Sequence, residues 1–182
     1  MILDKINKKG SIVFMDNVLY IFSGLPGTGK TTLAKEISKI LGTVYIRIDT
    51  IEQGIRDLCN FNVQGEGYRL AYRVIADNLN IGNNVVVDSC NPIKLTRNEY
   101  ENIAIENNCV YKNIEIICSN KNEHKNRIDT RKNDIKNLRL PKWEDVEKRD
   151  YEEWDKDHII IDTANKNIKD CIIELINELN ME

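Results

Sequence analysis

Residues 24–32 combine closely spaced glycines with a lysine and two threonines, a composition that suits the binding of phosphate groups. The segment reads Gly24-Leu25-Pro26-Gly27-Thr28-Gly29-Lys30-Thr31-Thr32 and fits G-x-x-x-x-G-K-[ST] at every fixed position. The glycines let successive N–H groups turn toward one anion, and the lysine adds a positive charge for the β- and γ-phosphates. A tight turn that binds nothing is the alternative, but it leaves Lys30 and Thr31 unexplained.

The flanks of this loop have the patterns that a phosphate site needs. Residues 19–22 form an apolar run typical of a buried strand, and residues 31–41 have helical periodicity. A helix that opens at Thr31 directs its free N–H groups and its positive end toward the phosphates. We therefore expect a nucleotide at residues 24–32, with the Thr31 hydroxyl within reach of Mg²⁺.

Two aspartates follow predicted strands, at the sheet edge where ligands of parallel sheets bind. Asp49 ends the β-rich run 44–48, and Asp88 ends the run 85–87. Three β-branched residues followed by Asp, downstream of a phosphate loop, are typical of the carboxylate that holds Mg²⁺ beside a nucleotide. Any buried strand can end in Asp, so the prediction for Asp88 depends on the loop upstream.

The longest insertion, residues 119–157, lies between the fourth and fifth predicted strands and is named the lid segment. Residues 121–142 hold eight Lys/Arg against three Asp/Glu, and residues 144–157 hold eight acids against three bases. Arg127 and Arg131 are four apart, so on a helix they share a face from which they can reach a transferring γ-phosphate. Two solvated helices that neutralise each other are the alternative.

A ring-stacking wall and an amide are further candidates for binding a second ligand. Tyr72 and Tyr68 are four apart on one predicted helix face, and Asn91 follows the Asp88 strand. The tyrosines can equally pack between helices, and Asn91 can serve only as a turn former before Pro92.

Length and composition favour one domain of an ordinary globular protein. The 182 residues are 41% hydrophobic and 30% charged, with a formal charge of −3 that gives no global attraction to nucleic acid or membrane. Five cysteines without a C-x-x-C pair fit reduced thiols, and no apolar run approaches a membrane span. We expect a cytoplasmic protein with an N-terminal extension at 1–16 and a single domain at 17–182.

Together these motifs resemble the small P-loop kinases, a group that includes polynucleotide 5′-hydroxyl kinases, gluconate and shikimate kinases, and predicted kinases of the AAA type. The resemblance spans about residues 18–179 and rests on GLPGTGKTT, RIDTIEQGI, VVVDSCNP, R-x-x-x-R at 127–131 and IDTAN. Strands that alternate with helices predict a parallel sheet. The resemblance implies the three-layer α/β fold of P-loop NTPases, with about five parallel strands in the order 2-3-1-4-5 and a helical lid. It also implies ATP and Mg²⁺ as cofactors.

The resemblance implies roles for individual side chains as well. In polynucleotide kinases the carboxylate matching Asp49 takes the proton of the acceptor hydroxyl, and the arginine matching Arg127 contacts the transferring phosphate. This chain departs from them at Glu52, where those enzymes carry an arginine for the acceptor's phosphate. Arg56, one turn later, is a substitute, with further candidates at Arg47, Arg69 and Arg73.

These observations predict a phosphotransferase that moves the γ-phosphate of ATP to a hydroxyl of a small metabolite or nucleotide-like acceptor. Six side chains receive roles: phosphate binding by Lys30, metal binding by Thr31 and Asp88, acceptor activation by Asp49, and charge neutralisation by Arg127 and Arg131. Arg56, Tyr72 and Asn91 join Asp49 as predicted acceptor contacts. An oligonucleotide 5′-hydroxyl is an alternative acceptor. A nucleotide-switched regulatory or RNA-modification accessory protein with little turnover is the alternative of another class.

Overall fold

The structure of the protein is a computed structural model that describes residues 17–180. The predicted N-terminal extension, residues 1–16, lies outside the described residues. Within residues 17–180 the strands are Val18–Ser23 (β1), Val44–Arg47 (β2), Val85–Asp88 (β3), Val110–Ile117 (β4) and Ile159–Asp162 (β5). The helices in the same range are Lys30–Leu41 (α1), Ile48–Cys59 (α2), Glu66–Asn80 (α3), Lys94–Glu106 (α4), Lys121–Thr130 (α5), Trp143–Glu147 (α6) and Ile168–Asn180 (α7).

All strand pairs are parallel, and the sheet order is β2-β3-β1-β4-β5, which confirms the predicted fold and strand order. The register pairs Phe22 with Asp88 and Arg47 with Asp88, so the carboxyl ends of three strands meet at one edge. This edge carries the phosphate loop and the candidate site.

Helices cover both faces of the sheet, and alternate residues of β1 point to opposite faces. Leu19 and Ile21 pack in the cluster under α3 and α4, whereas Phe22 packs in the cluster under α1 and α7. The three valines of β3 are fully buried, as expected for a central parallel strand covered on both faces. No helix among residues 17–180 is long and apolar enough to cross a membrane.

Two boundaries near the site differ from the sequence prediction. Strand β2 ends at Arg47 and helix α2 begins at Ile48, so Asp49 lies in the first turn of a helix instead of directly ending the run 44–48. Helix α5 ends at Thr130, and Arg131 is extended (φ −61°, ψ 140°), so the predicted shared helix face of Arg127 and Arg131 is wrong. The side chain of Asn133 accepts a hydrogen bond from the N–H of Ile135, and this local turn competes with further helix.

Candidate active site

The phosphate loop joins β1 to α1 in a conformation that depends on glycine. Gly27 and Gly29 have φ values of 85° and 96°, which other residues rarely adopt. Helix α1 begins directly after Gly29, and no side chain caps its N-terminus. The Gly24 N–H donates to the Cys90 carbonyl at 3.1 Å, which fixes the loop to the end of β3. The first N–H groups and the positive end of α1 therefore face the space above the loop.

A buried ion pair lies beneath this loop. Lys30 Nζ is 2.9 Å from Asp88 Oδ1, and the Tyr45 hydroxyl donates to Asp88 Oδ2 at 2.6 Å. Burial alone would raise the pKa of Asp88, but the Lys30 charge and hydrogen bonds from Tyr45, Lys30 and the Thr31 hydroxyl hold it below its usual value. Asp88 is therefore an ionised carboxylate beside the Thr31 hydroxyl, and this pair of hard oxygen donors fits Mg²⁺.

One cleft of about 1090 Å³ extends from the loop to the first turns of α2 and is bordered by the lid segment. Among its lining residues are six with predicted roles: Lys30, Thr31, Asp49, Arg56, Arg127 and Arg131. The structure thus brings most of the predicted site together in one space.

Asp49 and Arg56 line the α2 side of the cleft. About half of the Asp49 side chain is exposed, and Arg47 Nη2 is 3.8 Å from Asp49 Oδ2, longer than a hydrogen bond. Arg56 Nη2 lies 3.2 Å from Glu52 Oε2, one turn earlier on α2. Asp49 thus offers the cleft a carboxylate that is open to a ligand.

The two lid arginines face different parts of the cleft. Arg127 Nη1 donates to the Thr163 hydroxyl at 2.7 Å, and Arg127 Nη2 donates to the Thr163 carbonyl at 2.9 Å and to Glu123 Oε1 at 2.6 Å. Arg131 is half-buried; burial lowers its pKa, and the nearby Asp49 charge opposes that shift. Arg127 is therefore tied to the loop after β5, whereas Arg131 points its charge toward the Asp49 side.

Residues 19–149 match the protein family described as AAA domain. The chain belongs to this family. Solved structures with the same fold include a gluconokinase from Sinorhizobium meliloti, which is 14% identical with a TM-score of 0.64 over 91% of this chain and 92% of that chain. An APS kinase from Mycobacterium tuberculosis, in complex with AMPPNP and APS, is 15% identical with a TM-score of 0.68 over 90% and 98%.

Kti12 from Chaetomium thermophilum, in complex with ADP-AlF3, is 19% identical with a TM-score of 0.61 over 87% of this chain and 97% of that chain. No curated protein matches the chain. These likenesses confirm the P-loop kinase fold that the sequence motifs implied. At such identities they show the fold alone.

Two predicted acceptor contacts of this AAA domain do not line the cleft. The Tyr72 ring packs edge-on against Tyr100 with centroids 4.9 Å apart. Asn91 is fully buried, donates to the Ser23 hydroxyl at 2.9 Å and accepts from the Thr96 hydroxyl at 2.7 Å. The helix-packing and turn-forming alternatives therefore describe these two side chains in the structure.

The AAA domain also docks its lid segment on the phosphate loop through residues that the sequence did not indicate. A ring nitrogen of His124 lies 2.8 Å from the Pro26 carbonyl oxygen. Ile128 packs with Trp143 and Val146 against Leu25 of the loop. These contacts join residues about a hundred positions apart, so no local pattern in the sequence reveals them.

The lid segment reaches the opposite wall of the cleft as well. Asp134 Oδ2 accepts from Arg47 Nη1 and from Lys35 Nζ, each at 2.8 Å, and Asn137 donates to Asp57 Oδ2 at 3.3 Å. The two halves of the segment are joined by the Lys121–Glu147 ion pair at 2.7 Å. Other charges of the segment pair with the domain, so mutual neutralisation explains only part of it.

Proposed function

We propose that this AAA domain protein is an ATP- and Mg²⁺-dependent kinase that phosphorylates a hydroxyl of a small acceptor. The observation that carries the proposal is one cleft that contains both Lys30 of the phosphate loop and the exposed carboxylate of Asp49. A protein that only switches on nucleotide needs no open carboxylate beside the phosphates. The AMPPNP in the mycobacterial APS kinase structure supports ATP as the donor.

In this proposal the roles divide between the two sides of the cleft. Lys30 and the amides of residues 24–32 bind the phosphates of ATP. Thr31 and Asp88 hold Mg²⁺, which offsets phosphate charge when bound.

Asp49 accepts the proton of the acceptor hydroxyl while the oxygen of that hydroxyl forms a bond to the γ-phosphorus. The bond from that phosphorus to the bridging oxygen breaks, and ADP leaves. Arg131 stabilises the charge on the transferring group, and Arg127 supports the donor end.

In this proposal residues 17–182 form a single kinase domain with a lid at about 119–157. We also propose that the protein is cytoplasmic. Cys90 and Cys171 line the cleft, and both are free thiols. Reduced thiols at a site of this kind suit a reducing compartment.

The Asp49→Asn variant tests the proposal. Loss of the proton acceptor should reduce acceptor-dependent ADP release by about 100-fold or more, while ATP affinity by calorimetry stays near that of the wild type. The assay uses a panel of sugars, nucleosides, aminoglycosides and 5′-hydroxyl oligonucleotides. Asp77→Asn, an exposed position on α3 outside the cleft, is the matched control.

Normal turnover by Asp49→Asn would show that the base is elsewhere. Nucleotide binding with no acceptor stimulation across the panel would favour the second candidate, a nucleotide-switched protein. The fold match to Kti12 with bound ADP-AlF3 supports keeping that candidate.

A further inference from the structure

Arg47, the last residue of β2, has three carboxylates within 4 Å. Its Nη1 donates to Asp134 Oδ2 of the lid segment at 2.8 Å. Its Nη2 lies 3.8 Å from Asp49 Oδ2, and its Nε lies 3.9 Å from Asp88 Oδ2. Burial alone would lower the pKa of Arg47, but the three carboxylates, Asp134 foremost, raise it. The side chain is therefore a buried, charged guanidinium between the lid segment and the two carboxylates of the site.

One edge of this guanidinium lacks the hydrogen bonds that its position would allow. The Nε atom is buried and has no hydrogen-bond partner among residues 17–180. The distances of 3.8 and 3.9 Å from Nη2 and Nε to the nearest carboxylate oxygens are about 1 Å longer than a charge-assisted hydrogen bond. A buried N–H group without a partner is rare and costs free energy. The contact of Nη1 with Asp134 is therefore made while the other edge of the group stays unsatisfied.

The guanidinium group is planar and rigid, so its nitrogens do not move independently. Its Nη2 and Nε atoms are the ones nearest to Asp49 and Asp88, whereas Nη1 holds Asp134. A shift of about 1 Å toward the site carboxylates would complete hydrogen bonds there and would lengthen the contact of Nη1 with the lid segment. Asp134 therefore competes with Asp49 and Asp88 for the same cation.

Asp49 is the carboxylate that gains most from Arg47 if Asp134 moves away. Asp88 already accepts hydrogen bonds from two other side chains, at 2.9 and 2.6 Å. Arg47, in contrast, is the only Lys or Arg within 4 Å of Asp49 in the described part of the chain. A guanidinium that is released by the lid segment should therefore pair with Asp49.

We propose that Arg47 is a positioning residue that couples docking of the lid segment to the availability of Asp49. While the segment is docked, Asp134 holds the guanidinium away from Asp49, whose carboxylate can then accept the proton of the acceptor hydroxyl. When the segment leaves the sheet, Arg47 pairs with Asp49 and occupies the oxygen that the acceptor needs. The inference rests on the role of Asp49 in the proposed function and adds a control of that role by the lid segment.

This coupling would confine proton acceptance to the closed cleft. A half-exposed carboxylate beside bound ATP can also act on water: Asp49 takes a water proton, the water oxygen bonds to the γ-phosphorus, and ADP leaves without any acceptor. An opposite charge makes a carboxylate a weaker proton acceptor. Pairing with Arg47 in the open cleft would therefore oppose this loss of ATP.

The first measurement follows Asp49 itself and needs no acceptor. Carboxyl groups of the full chain are labelled with a water-soluble carbodiimide and glycine ethyl ester, and the labelling rate of Asp49 is read from peptide masses. Asp134→Asn should slow the labelling of Asp49 about fivefold, because the released Arg47 pairs with it. Asp77, which is exposed on α3 outside the cleft, should be labelled at the same rate in both proteins.

Removal of the cation should reverse the effect of Asp134→Asn. In Arg47→Gln/Asp134→Asn the labelling of Asp49 should return at least to the wild-type rate, and the acceptor KM should be lower than in Asp134→Asn alone. A purely structural contact between Arg47 and Asp134 predicts a double variant that is no better than the single one. Lys136→Gln, which removes a charge from the lid segment outside the cleft, should change neither quantity.

Unchanged or faster labelling of Asp49 in Asp134→Asn would overturn the coupling, because a lid segment that is only loosened exposes Asp49 further. This single variant decides even if Arg47→Gln does not fold. Acceptor-stimulated ADP release by the wild type would leave the kinase proposal intact in that case. If no acceptor stimulates ADP release, the kinase proposal fails, and slower labelling that Arg47→Gln reverses would still establish the exchange of Arg47 between the two carboxylates.

Discussion

The proposed donor end and the proposed acceptor end of the cleft are built in opposite ways. At the donor end, backbone N–H groups and the buried Lys30–Asp88 pair are fixed by contacts within the sheet. At the proposed acceptor end, side chains from the lid segment line the cleft, and several of its cations have no carboxylate within 4 Å among residues 17–180. In the proposed kinase, the phosphate-binding groups are preorganised, whereas acceptor choice depends on an element that can vary without disturbing the sheet.

The largest effect is expected when the donor end loses its cation. Lys30→Met removes the proposed phosphate ligand and leaves Asp88 buried without its main partner. We expect nucleotide affinity to fall about 100-fold or more and the free energy of unfolding to fall by about 3–5 kcal/mol.

Calorimetry with AMPPNP and urea unfolding measure the two effects. Lys39→Met, on the exposed face of the same helix, should change neither by much. A Lys30→Met protein that still binds and turns over ATP would remove the basis for calling this end the donor site.

Tyr45 tests whether the donor end is preorganised. Tyr45→Phe deletes the hydroxyl that donates to Asp88 Oδ2 at 2.6 Å, and a hydrogen bond to a charged group is worth about 1.5–3 kcal/mol. We expect a loss of that size in urea unfolding and a weaker Mg²⁺ dependence of nucleotide binding. Tyr20→Phe, on β1 at the far side of β3, is the control. Equal stability of the two variants would mean that Asp88 needs no second donor.

Gly27 lies where the phosphate loop contacts helix α5 of the lid segment. In Gly27→Ala the new Cβ would stand 2.6 Å from Ile128 Cδ1 of α5, at a φ of 85° that disfavours alanine. We expect about 1–3 kcal/mol of destabilisation and faster tryptic cleavage within the lid segment. Gly54→Ala on α2, with open space around its Cβ, should instead stabilise by up to about 1 kcal/mol. Unchanged cleavage would show that the position of α5 does not depend on its contact with the phosphate loop.

The sequence predicted the loop between β1 and α1 and the strand that ends in Asp88, because both patterns lie in contiguous residues. A loop whose backbone binds phosphate is specified locally, and the strand that supplies Asp88 has a recognisable pattern. Contacts such as Lys35–Asp134 and His124–Pro26 join residues 99 and 98 positions apart, so their partners emerge only from the fold. The sequence indicated only weakly that Tyr45 contacts Asp88. Tyr45 lies two residues before Arg47, so the two side chains are on the same face of β2.

The smallest effect is expected at Asp134, which joins the lid segment to Arg47 of β2 and Lys35 of α1. Hydrogen bonds from Arg47 and Lys35 hold the pKa of Asp134 below its ordinary value, and burial opposes them only in part. Because the pKa of Asp134 is lower in the folded state than in the unfolded state, its ionised carboxylate stabilises the contact with Arg47 and Lys35. This stabilisation is fully present above the unfolded pKa, near 3.9, and is lost as pH falls through the folded pKa. The stabilisation from the contact of Asp134 with Arg47 and Lys35 should therefore be constant from about pH 5 to 8.

Asp134→Asn removes the charge at every pH. Because half of that side chain is exposed, solvent screens the pairs and the cost should stay below about 1 kcal/mol, or about fivefold in the KM of the acceptor. Hydrogen exchange in residues 131–142 should accelerate by a similar factor, whereas Asp129→Asn, which loses only an exposed pair with Lys125, should leave it unchanged. A change in nucleotide affinity larger than the change in acceptor KM would contradict the division between the two ends. Arg47 lies between Asp134 and Asp88, and that result would mean that the loss of the Asp134 charge acts mainly on Asp88 at the donor end.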